Sequence, residues 1–269
     1  MAALDAAPAG DALGTVLLIP GYTGSKEDYA PVLGGLAAAG YRVVAIDLPG
    51  QYESPGPAEA DAYTTDALGA VVLAAAAELS AAPVHIVGHS FGGLVCRAAA
   101  IAEPDRLVSL TLLASGPAGL SGVRAERMRQ LEPVLARGGM PAVQAAMEEL
   151  DRRDPAAAQR SPELRDFLRR RFLASSAAGL RGMGEALQSE PDRVGELRAT
   201  GVRVLVAYGA ADDAWPPLVQ ADMASRLGAR VQIVAGAGHS PAIEAPERTV
   251  AILTHFWRAV GAGGGAVAP

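Results

Sequence analysis

Residues 84–96 read VHIVGHSFGGLVC, in which an apolar run leads into three glycines around one serine and a second apolar run follows. This order predicts a buried strand that turns sharply into a helix, with Ser90 at the tip of the turn. Gly88 and Gly92 lie two residues before and two residues after Ser90, where a Cβ atom would collide across so tight a turn. The first N–H groups of the helix have no intrahelical partner and should point at the serine.

Other short runs along the chain are also apolar almost throughout, instead of alternating with polar residues. Such runs are typical of strands buried on both faces, so we predict an α/β fold with a doubly wound, mostly parallel sheet and helices on both faces. The segment before Thr15 is short, and we expect no further strand there. The predicted strands are TVLLIP at 15–20, RVVAID at 42–47, VHIVG at 84–88, SLTLLAS at 109–115, RVLVAYG at 203–209 and RVQIVAG at 230–236. The predicted helices are 26–39, 64–79, 91–102, 217–227 and 246–260.

One long segment interrupts the alternation of strands and helices. Between about 117 and 200 no strand pattern appears, and Leu, Met and Phe recur at helical spacing among dense charges, as in RAERMRQLE and LRDFLRRRF. An insertion of this length in a compact sheet domain is usually functional. We therefore interpret 117–200 as a helical cap over a site, with a solvated helical excursion as the alternative. The core then comprises 1–116 and 201–260, and 261–269 form a flexible tail.

The composition excludes several classes of protein. The chain has 269 residues, of which 50% are hydrophobic, and its formal net charge is −6. Charges of both signs are spread along it, so we expect no nucleic acid partner and no attraction to an anionic membrane. We find neither a membrane-spanning run nor a signal peptide pattern and expect a soluble cytoplasmic protein. The single cysteine, Cys96, excludes an internal disulfide, and the oligomeric state stays open.

A serine hydroxyl needs a base within hydrogen-bond reach to act as a nucleophile, and the chain offers four histidines. His85 falls in a predicted strand and His255 in the last predicted helix, which favours structural roles for both. His89 adjoins Ser90, and its side chain should diverge from that of the serine. His239 stands in AGAGHSP, directly after a predicted strand, and loops at the carboxyl ends of strands carry the active sites of α/β folds. His239 is therefore the candidate base.

A histidine base needs a carboxylate that orients it. Asp212 and Asp213 both follow the run RVLVAYG. Consecutive residues of an extended loop tend to point to opposite sides, so at most one of the two should face His239. Either of them is a candidate on this argument.

In this order the motifs resemble those of the α/β-hydrolase fold enzymes over about 15–257, with the helical insertion in the place of that family's variable cap. The resemblance implies Ser90 as the nucleophile and His239 as the base. The family's G-x-x-D spacing, counted from Gly209, implies Asp212 as the orienting acid. The chain order of serine, aspartate and histidine is also that of the family.

The resemblance further implies an oxyanion hole formed by the backbone N–H groups of Phe91 and Tyr22. The sequence departs from the family pattern in two places. The loop after the first predicted strand usually reads H-G-x-x-G-S, whereas residues 20–25 read PGYTGS, so Pro20 replaces a histidine. Tyr52 stands where the family often has the second glycine of D-x-P-G-x-G.

These features predict a serine hydrolase that cleaves a carboxylic ester or a related acyl compound, with a small-molecule acyl substrate and neither metal nor cofactor. Serine at the turn argues against dehalogenase and epoxide hydrolase chemistry, for which an aspartate nucleophile is expected. Lactonase, C–C bond hydrolase, amidase, acyltransferase and perhydrolase chemistry stay open, as does a receptor-like role with little turnover. The candidate pocket residues are His89, Met140, Phe167, Phe172 and Trp215.

Overall fold

A seven-stranded sheet forms the middle of the structure, a computed structural model that describes residues 1–153, 157 and 160–262. The spatial order of the strands is β1-β3-β2-β4-β5-β6-β7. Strands β2 to β7 are parallel, and β1 pairs with β3 in the antiparallel direction. The prediction of an α/β fold with a mostly parallel sheet is confirmed. The strands are β1 (Ala3–Ala6), β2 (Thr15–Ile19), β3 (Arg42–Ile46), β4 (Val84–His89), β5 (Leu107–Leu113), β6 (Val204–Gly209) and β7 (Arg230–Val234).

Helices cover both faces of this sheet, as predicted. On one face lie α2, α3, α7 and α8, and on the other lie α1 and α10. None of the helices in the described ranges has the length and hydropathy needed to cross a membrane. The helices are α1 (Ala30–Ala38), α2 (Thr65–Leu79), α3 (Phe91–Ala102), α4 (Gly122–Asp151), α5 (Pro162–Ala174), α6 (Ala177–Ser189), α7 (Val194–Ala199), α8 (Pro217–Leu227), α9 (Pro241–Glu244) and α10 (Pro246–Ala262).

Strand β2 illustrates why the inner strands are apolar at nearly every position, whereas the edge strand β7 has four exposed residues out of five. Leu17 and Ile19 pack into the cluster that includes α2 and α3, whereas Val16 and Leu18 pack into the cluster that includes α1 and α10. All four side chains are fully buried. Each contributes about 1.5–3 kcal/mol by leaving water, so helices on both faces require an apolar residue at successive positions of the strand.

The strand β1 contradicts the expectation that no strand precedes Thr15. It lies at the edge of the sheet, where Asp5 pairs with Val44 of β3 and its carboxylate lies 2.7 Å from a guanidinium nitrogen of Arg42. The sequence ALDA contains no apolar run, and its residues alternate between exposed and half-buried positions. Backbone hydrogen bonds, rather than buried side chains, form this strand, and the sequence pattern therefore gave no signal for it.

Two predicted boundaries also differ from the structure. The predicted helix 26–39 is a 3₁₀ turn at Lys26–Tyr29 followed by α1, which has a proline in its first turn. That position is one where proline is tolerated, because its missing N–H has no intrahelical acceptor. Helix α10 includes Gly261 and Ala262, the first two residues of the predicted flexible tail. The rest of that tail, 263–269, lies outside the described residues.

The insertion between β5 and β6 contains helices and no strand in its described part. Helix α4 is broken at Gly139, where φ is 63° and ψ is −163°. Helix α7 packs on the sheet domain through Val194 and Leu197, which join the same apolar cluster as α3 and α8. Helices α4, α5 and α6 also pack around a separate small cluster formed by Met140, Val143, Phe172 and Leu180. Helix α6 contacts both clusters, because its Met183 and Leu187 join the cluster of the sheet domain.

Arg97, on α3, holds the two ends of this insertion together. Its side chain is 1% exposed, and its Nη2 donates to the Glu190 carboxylate at 2.7 Å and to the carbonyl of Pro191 at 3.2 Å. Its Nη1 donates to the carbonyl of Pro117, at the other end of the insertion. Thr65 donates to the second oxygen of Glu190 at 2.7 Å. The insertion therefore leaves and rejoins the sheet domain at one buried ion pair.

His85, on β4, provides a test of this packing. Its Nδ1 lies 2.7 Å from Oγ of Ser109, and its ring packs against Tyr41 and Trp257. Burial, together with the smaller effect of the charge of Arg203, lowers the pKa of His85 to about 4. The unfolded chain, in which histidine has a pKa of about 6.5, then binds more protons than the folded state, so the free energy of unfolding decreases as the pH falls below about 6.5 toward 4.

We expect His85→Gln to reduce this pH dependence, because glutamine keeps a hydrogen-bonding group and does not titrate. Urea denaturation at about pH 7.5 and about pH 5 measures the free energy of unfolding in each protein. The decrease between the two values should be smaller in the variant, by up to roughly 1.4 kcal/mol for each pH unit below about 6.5. An equal decrease in both proteins would contradict the assignment of a buried neutral His85.

Candidate active site

Ser90 lies between β4 and α3 with φ 54° and ψ −121°, a left-handed conformation that residues other than glycine rarely adopt. Such a conformation costs on the order of 1–3 kcal/mol and persists only where the surrounding structure holds it. The N–H of Ser90 donates to the carbonyl of Leu113 at 2.9 Å, which ties the turn to β5. A Cβ atom on Gly88 would collide with the backbone of Gly92, so glycine is required for the turn to close.

Three side chains from separate loops meet at this turn. Asp212 follows β6 and His239 follows β7, and these strands end at the same edge of the parallel sheet as β4. The Nε2 atom of His239 lies 3.0 Å from Oγ of Ser90, and its Nδ1 lies 3.0 Å from Oδ1 of Asp212. Ser90 is 7% exposed and Asp212 is 5% exposed, so this hydrogen-bonded chain is largely shielded from water.

The carboxylate of Asp212 is fixed by two further hydrogen bonds. The N–H of Ala214 donates to its Oδ1 at 2.9 Å, and Nε2 of Gln220 donates to its Oδ2 at 2.8 Å. Gln220, on α8, is fully buried and also donates to the carbonyl of Trp215 at 2.7 Å. Gln220 was not predicted, although it lies three and four residues before Met223 and Ala224 and so shares their buried face of α8. A polar side chain on such a face indicates a specific hydrogen-bond partner.

The neighbouring carboxylate, Asp213, points away from His239. Its side chain is 65% exposed, and it accepts a hydrogen bond from Nε of Arg124 at 3.1 Å. The structure therefore places Asp212, and not Asp213, against the imidazole. Among the described residues, no group of three or more His, Cys, Asp and Glu side chains is arranged to hold a metal ion.

His89 supports the loop that carries His239. Its Nε2 lies 2.7 Å from the carbonyl oxygen of His239, and the two rings are 5.0 Å apart. Burial, together with the smaller effect of the neighbouring His239, lowers the pKa of His89 to about 3. The ring is therefore neutral at pH 7 and donates its single N–H to that carbonyl. Through this contact His89 holds the backbone of His239 in place, whereas the sequence predicted His89 as a residue of the substrate pocket.

The two N–H groups predicted as oxyanion donors belong to residues that adjoin Ser90. Phe91 is the first residue of α3, so its N–H has no intrahelical acceptor. Tyr22 lies in a turn closed by the N–H of Gly24, which donates to the carbonyl of Gly21 at 3.1 Å. Gly21 lies so close to the serine that an added Cβ would be 3.2 Å from Cβ of Ser90. The turn that carries the N–H of Tyr22 therefore lies directly beside Ser90.

An apolar cleft opens between this turn and the helices α4, α5 and α6. Its empty volume is about 550 Å³, part of it open to solvent. The polar residues of its lining are Thr23, Glu132, Arg181, Glu185 and Gln188. Its apolar lining includes Tyr22, Met128, Leu131, Leu135, Met147, Phe172 and Leu180.

The predicted pocket residues occupy different places relative to this cleft. Phe172 lines it, and Met140 packs in the apolar cluster behind it. Trp215 is 4% exposed, and its ring lies 6.3 Å from that of His239. Phe167 does not line the cleft, and its ring packs edge-on against Tyr52 at 6.0 Å.

Tyr52 keeps the backbone conformation that glycine would favour at this position. Its φ is 38°, in the left-handed region. The ring lies between Phe167 and Lys26, whose Nζ is 4.8 Å from the ring centroid. Lys26, the only lysine in the chain, also lies 3.0 Å from the carboxylate of Asp47 and 2.6 Å from that of Glu53. These contacts offset the strain of a non-glycine residue and anchor the loop after β3.

Comparison with known proteins identifies the family. A model of the alpha/beta hydrolase family matches residues 16–252. The chain belongs to the α/β hydrolase family. The resemblance of the motifs to this family is thereby confirmed.

Relatives and solved structures place the chain among several enzymes of this family. It is 32% identical to the dihydrolipoyllysine-residue acetyltransferase component of the acetoin cleaving system of Cupriavidus necator, over 86% of this chain but only 60% of that protein's length. It is 29% identical to the pimeloyl-[acyl-carrier protein] methyl ester esterase of Aeromonas hydrophila, over 81% of this chain and 86% of that protein. The structure of a thermophilic esterase from Thermogutta terrifontis matches with a TM-score of 0.80 and 25% identity, over 96% of this chain and 93% of that one.

The two adjacent carboxylates lead to a sharp prediction for the reactivity of Ser90. We expect Asp212→Asn to slow the reaction of Ser90 with a fluorophosphonate by several orders of magnitude, since the same change in a comparable arrangement lowers kcat by about 10⁴. Asp213→Asn, the matched control, should change the rate by about 10-fold or less, because an exposed ion pair contributes little. Stopped-time labelling followed by mass spectrometry measures both rates. The reverse order of the two variants would contradict the placement of Asp212 against His239.

Proposed function

We propose that this protein is a serine hydrolase that cleaves a carboxylic ester, or a related acyl compound, through an acyl-enzyme on Ser90. The observation that carries the proposal is the hydrogen-bonded chain from Ser90 through His239 to Asp212, with 3.0 Å at each step. A neutral imidazole at that distance can accept the hydroxyl proton as the oxygen attacks. Membership of the α/β hydrolase family supports the proposal, as do the relative and the structural neighbour that are named esterases.

In the acylation step, Oγ of Ser90 forms a bond to the carbonyl carbon while Nε2 of His239 accepts the hydroxyl proton. The carbonyl π electrons move to the oxygen, and the N–H groups of Phe91 and Tyr22 donate hydrogen bonds to the resulting oxyanion. When the carbonyl re-forms, the bond to the alcohol oxygen breaks. His239 then gives its proton to the leaving alcohol, and an ester of Ser90 remains.

In the deacylation step, water is the nucleophile in place of Ser90. His239 accepts a proton from the water as its oxygen attacks the acyl carbon, and it returns that proton to Oγ of Ser90 when the acid is released. Asp212 accepts a hydrogen bond from Nδ1–H of His239, which leaves the lone pair of Nε2 facing Ser90. The carboxylate also stabilises the imidazolium that forms in each step.

We further propose that α4, α5 and α6 form a cap that selects the substrate. The cleft between these helices and the turn at Tyr22 is mostly apolar, so an apolar acyl or alcohol group suits it. The hydroxyl of Tyr22 donates to the carbonyl of Leu180 on α6 at 2.6 Å. The turn that supplies a proposed oxyanion donor is therefore joined directly to the cap. Helix α6 lines the cleft and also packs on the sheet domain, whereas no residue of α7 lines the cleft. The proposed cap therefore ends with α6, before the end of the segment 117–200 predicted from the sequence.

Covalent labelling tests the nucleophile. A fluorophosphonate should modify Ser90 and abolish hydrolysis of small aryl esters such as p-nitrophenyl acetate, because both reactions need the same activated oxygen. Mass spectrometry of the digested protein identifies the labelled serine, and Ser90→Ala should lose both labelling and turnover. Labelling at Ser25 or Ser240 with turnover intact in Ser90→Ala would refute the assignment. A wild-type protein that binds such esters without turnover would favour the receptor-like alternative.

A second prediction concerns the cap. Phe172→Ala should enlarge the cleft and raise kcat/KM for longer p-nitrophenyl esters relative to p-nitrophenyl acetate by about 10-fold or more, because each additional buried methylene contributes about 1–3 kcal/mol. Phe167→Ala is the matched control on the same helix, since this ring packs on Tyr52 outside the cleft. A chain-length series of esters measures the preference in each folded variant. An equal shift in both variants, or in neither, would contradict the proposed role of the cleft.

A further inference from the structure

A buried glutamine holds the turn that carries Tyr22. Gln51, in the loop after β3, is 2% exposed. Its Nε2 donates to the carbonyl of Gly21 at 2.7 Å and to that of Tyr22 at 3.3 Å, and its Oε1 accepts a hydrogen bond from the N–H of Leu48 at 3.0 Å. The two carbonyls require a donor and the N–H requires an acceptor, so these partners fix the orientation of the amide.

The bond to Gly21 fixes the direction of the Tyr22 N–H. The carbonyl of Gly21 and the N–H of Tyr22 belong to the same peptide unit, and the described chain contains no cis peptide bond. Because that unit is planar and trans, its oxygen and its N–H point in opposite directions. A donor that holds the oxygen on one side therefore aims the N–H to the other side. The weaker bond to the Tyr22 carbonyl restrains the next peptide unit in the same way.

Gln51 is itself held rigidly enough to act in this way. The loop around it is closed by two backbone hydrogen bonds, from the N–H of Gln51 to the carbonyl of Leu48 at 2.9 Å and from the N–H of Ser54 to the carbonyl of Gln51 at 2.8 Å. Asp47 precedes this loop and binds both the N–H of Lys26, at 2.7 Å, and its ammonium group. The loop after β3 and the turn after β2 are therefore joined at two buried points.

We propose that Gln51 is a positioning residue that aims the backbone N–H of Tyr22 at the oxyanion, an inference that rests on the proposed hydrolase function of Ser90. At Pro20 the chain lacks the polar side chain that the resemblance leads one to expect beside this turn. Gln51 supplies from a different loop the hydrogen bonds that keep the turn in place. Without it, the turn retains the bond from the N–H of Gly24 to the Gly21 carbonyl and the bond from the Tyr22 hydroxyl to Leu180.

Two substitutions separate this role from a merely structural one. Gln51→Glu keeps an acceptor for the N–H of Leu48 and, as a carboxylate, loses both donors to the Gly21 and Tyr22 carbonyls. Gln51→Met has a similar volume and loses all three hydrogen bonds. If Gln51 only stabilised its own loop, the glutamate variant would behave like the wild type. If it aims the Tyr22 N–H, both variants lose activity.

We expect both variants to lower kcat for p-nitrophenyl acetate by about 10-fold to 100-fold, a part of the 10²–10³ that removal of a whole oxyanion donor costs. KM should change by less than about 3-fold, because the oxyanion bond forms only in the transition state. Gln232→Met, the same change at an exposed residue of β7, is the control for kcat. Circular dichroism and thermal unfolding establish that each variant is folded.

A crystal structure of Gln51→Met provides a readout that does not depend on turnover. We expect the Gly21–Tyr22 peptide to be rotated or to occupy more than one orientation. A single, unchanged orientation in that structure would overturn the proposal, as would a wild-type kcat in a folded Gln51→Glu variant. Absence of ester turnover in the wild type would instead count against the proposed function of Ser90, and the orientation of the peptide would still decide the role of Gln51.

Discussion

The backbone of Ser90 has to be held in a conformation that its own Cβ atom disfavours. The strand before it lies between β2 and β5 in the sheet, and ten of the twelve residues of the helix after it are buried. A turn between two elements packed this firmly cannot relax without displacing them, so the free energy of the core offsets the strain at one residue. The serine hydroxyl is thereby held at the edge of the sheet where β4 ends, and the other loops are arranged around it.

The parallel sheet brings those loops to Ser90. Parallel strands end at a common edge, so residues that are far apart in the sequence, such as Ser90, Asp212 and His239, meet at one place. Each of the three is then fixed by a neighbour. Gln220 and the N–H of Ala214 hold Asp212, and the neutral His89 holds the carbonyl of His239. The geometry of the chain of hydrogen bonds thus depends on several buried polar groups whose donors and acceptors match.

The sequence was informative where the physical signal is local. A strand buried on both faces needs a continuous apolar run, and a strained turn needs glycines at fixed distances, so the parallel strands and Ser90 could be predicted. Strand β1 depends on backbone pairing at an edge and carried no such signal. Gln51 was missed because two of its partners lie in the turn after β2, and no periodicity marks a buried polar residue in a loop. The place of Phe167 on Tyr52 likewise depends on how α5 meets the loop after β3.

The buried pair of Arg97 and Glu190 makes the entropic cost of the insertion depend only weakly on its length. Both ends are fastened at the same point on α3, so the chain between them closes a loop whose entropic cost rises by only about 0.6 kcal/mol when its length doubles. The entropic cost of closing that loop therefore sets little limit on the number and length of the helices within it. Under the proposed function, evolution can change the helices that select the substrate while Ser90, His239 and Asp212 stay in place.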